Sequence, residues 1–152
     1  MARQIAAAQA PPAASKVVPP GENLVVEGVP PISRELADRV SRYTEFRGAG
    51  FSDWHPLRRE LLMVTRFADV PQIHRLLMPG GARTQLTFFP DRVSGATFEP
   101  TRGDYFLFSK DIGGGEWFQL FRYDLKNGDI TLLTDGKSRN TGAIFNRRGD
   151  RI

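Results

Sequence analysis

The sequence WHPLRRELL, at residues 54–62, opens a pattern that returns as FEPTRGDYF at residues 98–106. The two segments begin 44 residues apart, and each has an aromatic residue, a proline and a charged turn before an apolar run. The sequence FNRRGDRI, at residues 145–152, begins the same pattern a third time. A repeat of this length indicates one structural unit that is copied along the chain.

The two copies also end in the same way. The first runs from IHRL at residues 73–76 to LT at 86–87, and the second runs from LFRY at 120–123 to LT at 133–134. The spacing at this end is 47 residues. We attribute the difference to the three glycines at 113–115, because glycine tolerates the positive φ angles of a lengthened hairpin loop.

Within each copy, short apolar runs alternate with turn residues, which is typical of β-strands. The turns at 102–104 and 126–129 contain glycine, asparagine or aspartate, which tight hairpins favour. Each copy is therefore predicted to form a four-stranded antiparallel meander. In the second copy the expected strands are residues 94–98, 105–109, 117–124 and 130–134.

Repeated four-stranded units of this size are typical of the blades of a β-propeller. The sequence therefore predicts an all-β fold with a partial β-propeller at residues 51–152. This region would hold about two four-stranded antiparallel blades, at 51–90 and 94–137, and a third that begins at 139. Because a propeller usually needs about four to eight blades, we expect the chain to be a fragment. It should be marginally stable alone, since its terminal sheet lacks a neighbour.

The first part of the chain differs in composition. Residues 1–21 are rich in alanine and proline and are expected to be a disordered leader or linker. Ala8-Gln9-Ala10 fits the small-x-small pattern of a secretory cleavage site, but no apolar core precedes it. A simple alanine-rich tail is therefore favoured over an export signal that has lost its upstream part.

Residues 22–50 are predicted to contain one strand and one short helix. The strand is expected at residues 23–27, around the apolar sequence LVV. Ser33 follows two prolines and can cap a helix from Arg34 to about Tyr43. We expect one apolar face of this helix to pack on the repeat domain. That face carries Leu36, Val40 and Tyr43.

The composition is that of one globular domain or of part of a larger one, with 40% hydrophobic and 25% charged residues among 152. Apolar runs such as that at 61–64 are far shorter than the roughly 20 residues of a transmembrane helix. We therefore predict no membrane span. The chain contains no cysteine, which excludes disulfides and cysteine-ligated zinc but leaves the compartment open.

The net charge of +4 and the isoelectric point near 9.8 could indicate an acidic partner such as nucleic acid. The distribution of charge argues against it. Arginines are interspersed with glutamates and aspartates, and no block of five or more like charges occurs. We therefore expect a solvated surface and no nucleic-acid partner.

Three small motifs invite functional interpretations. Arg102-Gly103-Asp104 and Arg148-Gly149-Asp150 both spell the tripeptide of integrin ligands, but they occupy equivalent turns that need glycine and aspartate. Gly136-Lys137-Ser138 resembles the end of a phosphate-binding P-loop. Thr131 stands where that motif requires its first glycine, and no helical pattern follows. We predict neither integrin binding nor nucleotide binding.

His55 and His74 are the only histidines, and their spacing favours a turn residue and a strand residue over a pair of metal ligands. The carboxylates of Glu60, Asp104 and Asp150 lie at equivalent turn positions and are predicted to be solvated rather than catalytic. Six aromatic residues are expected mainly in the core between blades, with base stacking or a peptide channel as alternatives. They are Phe88, Phe89, Trp117, Phe118, Phe121 and Tyr123.

Several motifs resemble the propeller repeats of TolB-like proteins. These are RRGD at a strand start (147–150), YDLKNG at the exit of a third strand (123–128) and LT at the end of a fourth (133–134). Four other segments are similar to the N-terminal propeller of bacterial prolyl oligopeptidase-family serine peptidases. They are DWHP at 53–56, TRF at 65–67, PQIH at 71–74 and MPGGARTQLT at 78–87. The resemblance extends from about Leu24 to Ile152.

This resemblance implies a longer bacterial enzyme whose propeller sits over a C-terminal α/β-hydrolase domain, and gates and selects peptide substrates for a Ser-Asp-His triad. The serine of that triad would lie in a Gly-x-Ser-x-Gly turn, and no serine here has that context. We therefore assign no catalytic, cofactor-binding or metal-binding residue to this chain.

The alternative is a non-enzymatic TolB-like propeller that serves as a protein-interaction platform. It would be followed by more blades rather than by a hydrolase domain. Both readings leave the location open between the periplasm or exterior and the cytoplasm.

Overall fold

The computed structural model describes residues 16–152, so most of the predicted leader at 1–21 lies outside the described residues. The chain divides into two units, one that ends at Phe46 and one that begins at Arg47. No helix in residues 16–152 is long and apolar enough to cross a membrane.

The first unit contains one helix, α1, at Arg34–Thr44. The hydroxyl of Ser33 accepts a hydrogen bond from the backbone N–H of Leu36 at 3.2 Å, which caps the first turn as predicted. No residue of α1 is buried, and the side chain of Tyr43 is 82% exposed. The packing of its apolar face on the repeat domain stays a prediction.

The strand predicted at residues 23–27 is not formed. Val25 is 85% exposed there. Instead, Val17 and Ser33 form an isolated antiparallel β-bridge. A β-branched run becomes a strand only where another segment pairs with it, and residues 23–27 form no β-bridge with any part of residues 16–152.

The second unit consists of two four-stranded antiparallel sheets, with strand orders β1-β2-β3-β4 and β5-β6-β7-β8. This confirms the predicted pair of meanders. The first sheet contains β1 (Ala49–Trp54), β2 (Leu61–Thr65), β3 (Gln72–Leu76) and β4 (Arg83–Gln85). The second contains β5 (Val93–Phe98), β6 (Tyr105–Lys110), β7 (Gln119–Asp124) and β8 (Ile130–Leu132).

Two strands of the second sheet are shorter than predicted. β7 begins at Gln119 rather than at Trp117, and β8 ends at Leu132 rather than at Thr134. The side chains of Gln119 and Thr134 explain both limits. The Thr134 hydroxyl accepts a hydrogen bond from the backbone N–H of Leu120, and it donates one to the Gln119 amide oxygen. Side-chain hydrogen bonds thus take over at this edge, after a last backbone hydrogen bond from the N–H of Leu133 to the carbonyl of Leu120.

The same hydrogen bonds occur in both sheets at a spacing of 47 residues. The Thr87 hydroxyl accepts from the N–H of Ile73, as the Thr134 hydroxyl does from Leu120. Gln72 binds the segment after β4, with its amide group donating to the carbonyls of Phe89 and Asp91. The repeat found in the sequence is therefore also a repeat of side-chain hydrogen bonds.

The core lies where the two sheets pack face to face. Strand pairing puts Leu62, Val64 and Ile73 on one face of the first sheet. Opposite residues of the second sheet form a stacked aromatic face, in which the rings of Phe106 and Tyr123 lie 4.8 Å apart. The buried residues of this core are Leu62, Ile73, Val93, Ala96, Phe98, Phe106 and Phe108.

Candidate functional site

The turn between the first two strands of each sheet is capped by a buried side chain. In the first sheet, Nδ1 of His55 accepts hydrogen bonds from the backbone N–H groups of Leu57 and Arg58, each at 3.1 Å. In the second, the carboxylate of Glu99 accepts from the N–H groups of Thr101, Arg102 and Gly103. His55 and Glu99 are 44 residues apart and occupy the same position of the repeat. An imidazole therefore caps this turn in the first copy, and a carboxylate caps it in the second.

Each capping side chain also lies beside the turn glycine of the next copy. A Cβ atom built on Gly103 would lie 2.4 Å from Nε2 of His55, and one built on Gly149 would lie 2.5 Å from Oε1 of Glu99. Both glycines have positive φ angles, 67° and 71°. The two RGD sequences are therefore structural turns, as predicted, in which the glycine permits close packing on the preceding copy.

Glu60 ends the first turn and is buried with three basic side chains around it. Its carboxylate lies 2.8 Å from Nη2 of Arg58, 3.4 Å from Nε of Arg75 and 3.6 Å from Nε2 of His55. The expectation that Glu60 is solvated is therefore wrong. Arg75 lies in β3, so the sequence of the turn alone does not show that it approaches Glu60. Its positive charge compensates the buried carboxylate of Glu60.

The second sheet repeats this arrangement in a more exposed form. Asp104, the equivalent of Glu60, lies 2.8 Å from Nε of Arg102, and both side chains are more than half exposed. Arg122, the equivalent of Arg75, lies 3.3 Å from Asp124, and its guanidinium stacks 4.0 Å from the centroid of the Tyr105 ring. Asp104 is solvated as predicted, and Asp150 is exposed in the third copy of the turn.

These two groups line one cleft of about 680 Å³, which we call the charged cleft. Five basic side chains and three carboxylates surround it, at the edge of the molecule where the turns between strands meet. Its lining residues are Arg58, Glu60, Arg75, Arg102, Asp104, Arg122, Asp124, Leu125 and Lys126. An excess of positive charge in a concave site favours anionic ligands.

The titratable groups around the turns respond to burial. Desolvation lowers the pKa of His55, and the charge of Arg58 lowers it further, while Glu60 acts in the opposite direction. Desolvation acts to raise the pKa of Glu99, but hydrogen bonds from Thr101, Arg102 and Gly103 outweigh it and leave this pKa below its usual value. Burial raises the pKa of Tyr105, which keeps the phenol neutral beneath Arg122.

The two histidines occupy the turn and the strand in which they were predicted, and they lie in different environments. His74, in β3, packs the edge of its ring on Phe67 and contacts the carbonyl of Gln72 through Nδ1. Desolvation lowers its pKa. Residues 16–152 contain no group of three or more histidines and acidic residues arranged to hold a metal ion.

The aromatic residues are only partly in the core. Phe89, Phe121 and Tyr123 pack against it, whereas Phe88 is 76% exposed and Trp117 is 63% exposed. The segment around Gly136-Lys137-Ser138 is a turn in which the Asp135 carboxylate accepts hydrogen bonds from the N–H groups of Lys137 and Ser138. These hydrogen bonds and that of the Ser138 hydroxyl lower the pKa of Asp135 to about 2. The N–H groups that a phosphate would need in this turn are therefore already bound to the Asp135 carboxylate.

No protein-family model matches the chain, and no curated protein sequence matches it.

The charged cleft was not singled out from the sequence. The signal that could have found it is the repetition of Arg58 as Arg102 and of Arg75 as Arg122, which places four arginines at equivalent positions.

Proposed function

We propose that residues 47–152 form two consecutive blades of a β-propeller that gates and selects peptides for a serine peptidase. The observation that supports this most directly is the contact between each capping side chain and the next turn glycine. His55 meets Gly103, and Glu99 meets Gly149 in the same way. Because each copy contacts the next through the same pair of positions, further copies can be added with the same geometry, as stacked blades require.

The peptidase part of the proposal is supported by the motifs that are similar to the prolyl oligopeptidase family. In this proposal the catalytic triad belongs to an α/β-hydrolase domain of the same polypeptide, and the residues of the present chain perform no chemistry. The blades instead restrict entry to short, extended peptides. The charged turns at the edge of the sheets supply polar groups that such peptides would meet.

The first experiment is to read the coding sequence on both sides of these residues and to purify the protein that it encodes. We expect more four-stranded repeats followed by a Gly-x-Ser-x-Gly element. The purified protein should cleave short peptides but not folded proteins, and replacing the serine of that element by alanine should abolish cleavage.

Two results would contradict this proposal. A reading frame that holds further blades and no hydrolase domain would favour the TolB-like interaction platform. A hydrolase domain that cleaves folded proteins as readily as peptides would show that the blades do not select substrates. The alanine variant serves as the control in both assays, because contaminating peptidases would leave its apparent activity unchanged.

A further inference from the structure

We propose that the charged cleft anchors carboxylate groups of peptides, so that the blades favour acidic substrates. The peptide nature of the ligand rests on the proposed function, and the preference for carboxylates rests on the cleft itself. The cleft contains hydrogen-bond donors that the protein leaves unused.

The carboxylates of the cleft occupy only part of its basic groups. Glu60 is held by Arg58 and Arg75, Asp104 by Arg102, and Asp124 by Arg122. Within residues 16–152, the terminal Nη atoms of Arg75 and Arg102 and the Nζ atom of Lys126 have no hydrogen-bonding partner. These donors line a cleft of about 680 Å³, which is large enough for a side-chain carboxylate and the neighbouring peptide groups.

Two of the arginines are held in place before a ligand arrives. The Nε atom of Arg75 lies 3.4 Å from the buried carboxylate of Glu60, and the guanidinium of Arg122 stacks on Tyr105. A guanidinium fixed through one edge or face can present the remaining N–H groups to a carboxylate as a fork. Preorganisation of this kind lowers the entropic cost of binding.

A nucleic acid fits the cleft less well. Three carboxylates line it, and they would repel a continuous phosphate backbone. The residues that line it include no aromatic side chain, and the nearby ring of Tyr105 is covered by Arg122 and is not free to stack on a base. A single carboxylate can lie among the arginines without approaching every acidic group, which favours an acidic peptide.

The test measures binding of fluorescent peptides to the 152-residue chain at low ionic strength, because exposed charges are screened by salt. The probes are a short peptide that contains two glutamates and its glutamine counterpart, both with blocked termini. We expect the glutamate peptide to bind about tenfold more tightly. Arg102→Gln and Lys126→Gln should each weaken that binding several-fold and leave the glutamine peptide unaffected.

Asp104→Asn provides a test in the opposite direction. It removes a carboxylate that competes for Arg102, so the glutamate peptide should bind more tightly to this variant. Arg151→Gln is the matched control, because it removes the same charge from the same domain outside the cleft and should change little. All four substitutions are at exposed positions, and circular dichroism verifies that each variant is folded.

Equal affinity for the glutamate and glutamine peptides would overturn the proposal, as would an equal loss in Arg102→Gln and Arg151→Gln. Tighter binding of a single-stranded oligonucleotide than of either peptide would also overturn it. These outcomes are separate from peptidase activity. Cleavage without a preference for acidic peptides would refute the carboxylate site alone, and binding without a hydrolase domain would refute only the proposed function.

Discussion

Gly103 is the residue at which turn geometry and packing between the two sheets meet. Its φ angle of 67° disfavours any side chain, and a Cβ atom would overlap the imidazole of His55. The need for glycine in this turn could be predicted from the sequence. The packing role could not, because His55 lies in the preceding copy and the contact depends on how the sheets stack.

Replacing Gly103 by alanine should therefore destabilise the protein by about 2 kcal/mol or more, through backbone strain and the clash with His55. Gly113→Ala is the matched control, since Gly113 has a φ angle of 60° but open space around it, and it should cost about 1 kcal/mol. Urea denaturation measures both free energies of unfolding. Equal losses would mean that the contact with His55 contributes nothing.

Glu99 and the two histidines give the folded state a defined response to acid. The histidine pKa values are lowered by folding, so the unfolded chain binds more protons and stability falls as the pH drops through about 6.5. The pKa of Glu99 is also lowered, so a second loss should begin near pH 4.5 and continue below it. Both groups act in the same direction over different ranges of pH.

Glu99→Gln should remove the contribution of Glu99 to the second loss, keep that of Asp135, whose pKa is also lowered, and leave the first loss unchanged. The amide keeps one acceptor oxygen but no charge, so this variant should be about 1 to 2 kcal/mol less stable than the parent at neutral pH. Below pH 4 its stability should approach that of the parent. The measurement is urea denaturation between pH 3 and 8, with the exposed Glu22→Gln as control. A constant difference between Glu99→Gln and the parent at every pH would contradict this assignment.

At the scale of elements, the glutamine at the start of the third strand organises the edge of each sheet. Gln119 accepts from the Thr134 hydroxyl and the N–H of Gly136, and it donates to the carbonyl of Ser138. Gln72 does the same for the segment after β4. The 47-residue spacing of the copies makes these two glutamines equivalent, but a polar residue at a strand start gives no sign that it will be buried.

Gln119→Ala should release the segment after β8. Losing several hydrogen bonds at a buried position should cost about 2 to 3 kcal/mol. Hydrogen exchange at residues 130–140 should become faster than in the rest of the second sheet, because opening would be local. Gln85→Ala, which removes one hydrogen bond to the carbonyl of Thr87, is the control and should have a smaller effect. Unchanged exchange in the 130–140 region would show that backbone pairing alone holds this edge.

The helix and the strand in the first unit mark the limit of local patterns. The cap and length of α1 could be predicted because they depend on neighbouring residues such as Ser33. Whether its apolar face is buried and whether residues 23–27 form a strand could not be predicted, because both depend on a partner surface that the sequence does not specify. Periodicity identified the helix, whereas strand pairing and burial depend on tertiary packing.

For the whole molecule, the repeat predicted two sheets and their strand order, since consecutive antiparallel strands joined by short turns have few other arrangements. The charged cleft was missed because its basic groups come from three turns and two strands that meet only after the sheets stack. Arg75 and Arg122, from the third strand of each sheet, contribute to it beside arginines from the turns.

The whole molecule also exposes more apolar surface than a stable isolated domain should. Phe51 and Trp54 of β1 are 59% and 60% exposed, and Ile144, after β8, is 78% exposed. We therefore expect the 152-residue chain to melt at a low temperature, below about 45 °C, and to bind a hydrophobic dye while folded.

Phe51→Thr should reduce dye binding without lowering the melting temperature, because it removes exposed apolar area from a strand position. Phe98→Thr, at a buried position of the second sheet, should instead prevent cooperative folding. A monomer that unfolds cooperatively at high temperature and binds no dye would contradict the expectation, and would mean that two sheets suffice without further blades.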